Sequence, residues 1–166
     1  PGHAELLYYL RANTTESLHA LTAKTYACFE AGAIATGCTH KIRTVSPTYA
    51  ALTPDSWLVA AFRQEIEALG RSPLAPDLEG FRPLGSTDMG NVTNVLPGIH
   101  PVVGLDAGGA VTHQPEFAAA CVTESADRAL LDGALGLART AARAAADPST
   151  RARLLDGVIA RSAAQS

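Results

Sequence analysis

Apolar and polar positions change period along the chain, and each change marks an element. Residues 5–12, Glu-Leu-Leu-Tyr-Tyr-Leu-Arg-Ala, are rich in aromatic and aliphatic side chains and predict a strand. Asn13 or Thr14 is placed to cap a helix over 15–36. There Leu18, Leu21, Tyr26, Phe29, Ala33 and Ile34 recur close to the helical period, and Gly37 stands where a left-handed C-cap is expected. Residues 39–46 alternate as a half-exposed strand does. The result, strand–long helix–strand, matches half of a ferredoxin-like unit.

Pro47 and Pro54 then bracket a loop. Asp55 or Ser56 caps a predicted helix from about 56 to 69, ended by Gly70, and a proline-bearing segment over 71–83 predicts an extended linker. Residues 84–105 combine a glycine loop with one or two short buried strands. Residues 106–115 form a second glycine loop ending in Thr-His-Gln-Pro. Two helices, about 125–146 and 149–163, separate at Asp147-Pro148. The pattern as a whole predicts an α/β chain in two parts, 1–50 and 51–166, with no internal repeat.

Bulk properties narrow the function classes. The chain has 166 residues, 47% hydrophobic and 17% charged, which argues against disorder. A net charge of −3 and the lack of any long basic run disfavour a nucleic-acid partner. No apolar stretch reaches the roughly 18–20 residues of a membrane helix, and the N-terminus lacks the pattern of a signal peptide. The three cysteines, Cys28, Cys38 and Cys121, show no CxxC spacing, which favours small apolar residues in a reducing, cytoplasmic setting.

Candidate chemistry is concentrated in the loops. His19 and His40 fall on a predicted helix and edge strand and read as solvated. His3 lies at the terminus. His100 and His113 sit in loops bounded by glycine and proline, where ligands and catalytic groups gather. Asp88, among small residues, fits either an Asx-turn or a functional acid, and its loop could present backbone N–H groups to an anion. A Gly-x-Ser-x-Gly elbow is absent, and Ser86, Asp88 and His100 form no triad that sequence can show. His100, His113, Asp88 and Glu116 match no local zinc motif, so one residue contributed to a larger metal site is the simpler reading.

Five segments in order carry a resemblance. They are Glu5-Leu-Leu-Tyr-Tyr-Leu-Arg-Ala12, Ala35-Thr-Gly-Cys38, Gly85-Ser-Thr-Asp-Met-Gly-Asn-Val92, Pro97-Gly-Ile-His-Pro101 and Thr112-His-Gln-Pro-Glu-Phe117. Together they resemble the C-terminal half of the aminoacylase, carboxypeptidase G and dipeptidase family of metallopeptidases, in the branch that includes β-alanyl dipeptidases and aminobenzoyl-glutamate hydrolases.

The resemblance implies a catalytic domain with two metal ions, usually zinc (manganese or cobalt in its place), and an inserted ferredoxin-like lid that commonly forms a homodimer. It implies that residues 1–50 are the second half of the lid and 51–166 the C-terminal part of the catalytic domain. His113 matches the family's last metal ligand. Asp88, Gly90 and Asn91 match the loop lining the substrate cleft. Arg11 matches a lid arginine that binds the substrate carboxylate, or else makes a salt bridge within the lid. His100 looks like a cleft residue that could orient a ligand.

The implied reaction is cleavage of the amide bond of a dipeptide or N-acyl amino acid. The His-x-Asp pair and the adjacent Glu-Glu of the family are not found. The chain is therefore expected to be a piece of the enzyme that is inactive in isolation. The alternative is a non-enzymatic dimerisation or binding module.

Overall fold

The computed structural model describes residues 2–79 and 86–163. Gly85, which opens the glycine loop, and residues 80–83 of the predicted linker lie outside them. Contacts divide the chain into two compact units. One is Pro1–Leu52 with Thr87–Asn91, the other Thr53–Ser86 with Val92–Ser166.

The first unit is organised around α1, Thr15–Thr36. Of the two predicted caps, Thr14 serves: its Oγ1 accepts the Ser17 N–H at 3.1 Å. Gly37 ends the helix at φ 66, with the Cys38 N–H returning to the Ala33 carbonyl at 2.9 Å. No residue of α1 is buried. The Tyr8 ring meets Phe29 edge-on, centroids 5.0 Å apart.

The α/β class, and with it the ferredoxin-like half-lid, is overturned. All regular elements among the described residues are helices, and no strand is formed. Residues 5–12 and 39–46 have no helical structure, but a strand exists only as one side of a hydrogen-bonded ladder. The two segments approach through Glu5 and Arg43, 3.6 Å apart and both largely exposed, and form no ladder among the described residues. The alternating side chains therefore have no sheet face to enter, and Leu6, Leu7, Tyr8 and Tyr9 stay 71, 62, 58 and 75% exposed. The short strands predicted within 84–105 are likewise unformed among the described residues.

The second unit holds the core. It comprises α2 (Ser56–Ala68), the one-turn α3 (Pro76–Glu79), α5 (Pro115–Ala120), α6 (Glu124–Ala146) and α7 (Pro148–Ala163). The five-residue α4, Met89–Thr93, runs from the last residues of the first unit into the second. Helices α2 and α6 pack most extensively, α6 and α7 less so. Ala61, Phe62 and Ile66 of α2 are buried, as are Ala129, Gly136 and Thr140 of α6. A Cβ at Gly136 would lie 2.9 Å from Phe62 Cε2 and 3.1 Å from Ile66 Cδ1, so glycine sets how closely the helices approach.

Polar bonds fasten the ends of these helices. Asp55, 6% exposed, caps α2 by accepting the Trp57 and Leu58 N–H groups, both at 3.1 Å. It also receives the Arg153 guanidinium of α7 on both oxygens, at 2.8 and 3.0 Å. The Arg153 hydrogen bonds hold the Asp55 carboxyl below its ordinary range, helped by the two N–H donors and opposed by burial. Asp147 ends α6 and begins α7. Its hydrogen bonds from the Thr150 and Ser149 hydroxyls, and from both N–H groups, lower its pKa to about 2.

Candidate functional site

The glycine loop of the first unit is held by its own side chains. The Thr87 hydroxyl accepts the Met89 N–H at 3.3 Å, and the Asn91 N–H closes the turn on the Asp88 carbonyl at 2.9 Å. Gly90 is buried against the extended segment before Leu52. A Cβ there would fall 1.8 Å from the Ala50 carbonyl oxygen, so only glycine lets the backbones pass. Asn91 uses both ends of its amide on the same segment. Its Oδ1 accepts the Ala50 N–H at 2.6 Å and its Nδ2 donates to the Thr48 carbonyl at 3.1 Å. Both residues thus clamp 48–50. Asp88 is exposed, and so is Arg11 at the end of the first extended segment.

The second loop belongs to the second unit. The Asp106 N–H donates to the Ser125 hydroxyl, in the first turn of α6, at 2.7 Å. The Asp106 carboxylate accepts the Gly108 N–H at 3.0 Å. Gly108 at φ 57 and Gly109 at φ 86 make a left-handed turn closed by the Ala110 N–H on the Ala107 carbonyl at 2.9 Å. His113 follows at φ 68, the one described residue other than glycine with a positive φ. Histidine tolerates this region better than most residues, yet such a backbone persists only when its surroundings impose it. Gln114 then caps α5, with Pro115 in its first turn. His113 and His100 are both exposed.

Among the described residues no group of three His, Cys, Asp or Glu side chains is arranged to hold a metal ion. His113 would offer a cation a single imidazole, and a catalytic zinc needs about three protein ligands. The described residues therefore do not make a metal site by themselves.

A groove of about 580 Å³ also opens in the second unit, lined by Phe62, Val103, Leu105, Cys121, Leu130 and Leu137 among others, with few polar groups. Sequence reasoning missed Ser125 and Asp106 as the moorings of the His113 loop. The only available signal was a serine in the first helical turn, a common place for a side-chain-to-backbone bond.

No family profile matches the chain. It is 37% identical over 160 residues to the Xaa-Arg dipeptidase of Mus musculus and 35% identical over 158 residues to the Xaa-Arg dipeptidase of Homo sapiens. These matches cover 95% of the chain but 36 and 35% of the relatives, so the chain spans about a third of their length.

Proposed function

The chain belongs to the dipeptidase-type metallopeptidases over the stretch it shares with these relatives, and on that premise we propose that it is part of a hydrolase that cleaves the amide bond of dipeptides. The substrate class is a dipeptide or N-acyl amino acid with a free carboxylate, and the relatives' names favour an arginine at the carboxyl end. Identity sustained across 95% of the chain is the observation that carries this reading.

Within it, Arg11 holds the substrate carboxylate through its planar guanidinium. Asp88 and the backbone around Gly90 line the cleft, His100 orients a ligand, and His113 gives one imidazole to a metal site of zinc, manganese or cobalt. The other ligands of a two-ion centre come from residues beyond these 166. Because one ligand cannot hold an ion tightly, the 166 residues alone are inactive. Three exposed free thiols suit a reducing cytoplasm, and the region 1–50 is the proposed homodimer contact. A non-enzymatic dimerisation module is the rival reading, supported by the exposed run Leu6–Tyr9.

The test is release of arginine from an Xaa-Arg dipeptide with zinc, manganese or cobalt added. The product of the whole open reading frame is expected to turn over, and to lose that activity on His113→Ala. Failure of the whole product to turn over would overthrow the hydrolase reading. Turnover by the 166 residues alone would overthrow the assignment of the remaining ligands.

A further inference from the structure

Resting on the reading of His113 as the site's histidine, we infer that Ser125, from α6, and Asp106, at the loop's first position, are positioning residues, which moor the loop and impose the left-handed backbone of His113. The loop has two moorings. At one end the Asp106 N–H is tied to the Ser125 Oγ at 2.7 Å, and Ser125 lies in the first turn of α6, the helix that forms the core with α2. At the other end Gln114 caps α5, accepting the Phe117 and Ala118 N–H groups at 3.1 Å on its carbonyl.

The residues between these moorings have little slack. The Asp106 carboxylate turns back to the Gly108 N–H at 3.0 Å, and the Gly108-Gly109 turn closes from Ala107 to Ala110 at 2.9 Å. Val111 follows, and the chain turns again at Thr112 and His113 before α5. His113 has φ 68. An L-residue avoids this region when free, so the conformation at 113 is the consequence of where 106 and 114 are held. The bond that Ser125 accepts is from Asp106 and not from His113. Ser125 acts by holding Asp106, which sets where the loop begins.

The experiment uses the 166-residue chain labelled for NMR, comparing wild type with Ser125→Ala, Ser125→Thr and Asp106→Ala. The reporters are the backbone shifts and couplings of His113, which distinguish a left-handed from a right-handed or extended residue. The Thr140 resonances of α6 report on the core, where this buried side chain bonds the Gly136 carbonyl. Ser125→Ala and Asp106→Ala are expected to lose the left-handed signature at His113 with Thr140 unmoved, and Ser125→Thr, which keeps the hydroxyl, to restore it.

An unchanged His113 signature in both alanine variants would overturn the inference. So would its loss in Ser125→Thr as well as Ser125→Ala, because the hydroxyl would then not be the cause. These readouts involve no turnover. A failed dipeptidase assay with a Ser125-dependent His113 signature removes the functional reading and leaves the positioning standing. The opposite pair of results removes the positioning alone.

Discussion

Asp55 joins three parts of the second unit through one side chain, and replacing it separates their energies. Its carboxylate caps α2, receives Arg153 from α7, and its own N–H donates to the Gly98 carbonyl at 2.9 Å. Asp55→Asn keeps an acceptor for the α2 N–H groups, because Asn caps about as well as Asp, and discards the charge. The Arg153 side chain is 47% exposed, so solvent screens the pair, and its loss costs about 1 kcal/mol despite the two-pronged geometry. Asp55→Ala removes the cap too, adding about 1 kcal/mol and up to about 2. Asn should therefore cost about 1 and Ala about 2–3 kcal/mol, or roughly 4 and 10 °C in a thermal melt at pH 7, for a unit of this size.

The pH dependence has a fixed sign. Arg153 lowers the folded-state pKa of Asp55, so the stabilisation is fully present above the unfolded value of about 3.9 and disappears as pH falls through the lowered folded value. Circular-dichroism melts of wild type and Asp55→Asn should differ by a constant amount from pH 7 to 5, then converge below about pH 4. Asp147, lowered to about 2 by its own cap, is common to both proteins and cancels from the difference. Equal costs for Asn and Ala would refute the cap assignment. A wild-type advantage that persists undiminished at pH 2.5 would refute the role of the carboxylate charge.

Three further changes probe packing and strain. Gly136→Ala puts a methyl 2.9 Å from Phe62 and should cost about 1–3 kcal/mol in a urea titration, partly recovered by Phe62→Leu; a neutral result would mean that α2 and α6 are free to separate. Gly90→Ala drives its Cβ into the Ala50 carbonyl, and should expose residues 48–51 to limited proteolysis far more than Asn91→Ala, which forfeits hydrogen bonds of about 1 kcal/mol each; equal cleavage in both would argue against the close approach. His113→Gly should be more stable than His113→Ala by about 1 kcal/mol, since only glycine accepts φ 68 without strain, and equal melting temperatures would show that the loop does not impose that backbone.

The helices were legible because their signals are local. Thr14, Asp55 and Gly37 cap the ends they are expected to cap, and α1, α2, α6 and α7 begin and end within a residue or two of the periodic runs. The strands failed for the complementary reason. Alternation at 5–12 and 39–46 states a preference, but a ladder needs a partner at the right register, and no paired segment forms among the described residues. Arg153 and Arg161 were invisible in another way. Their acceptors, Asp55 and the Thr53 carbonyl, lie 98 and 108 positions away, and nothing in a single sequence links such distant residues.

The candidate residues differ in what their own surroundings already ask of them. Gly90 and Asn91 have structural tasks that explain their identities without a substrate: one yields space to the Ala50 backbone, the other satisfies the amides around it. His113 is the reverse case. No packing demand selects histidine at an exposed position with φ 68, where glycine would be easier, and the surrounding loop is built to hold that backbone in place. On the proposed reading, the conformational energy spent at this exposed position serves what the ring does for something outside the chain. That asymmetry shifts the functional weight from the glycine loop to the histidine loop.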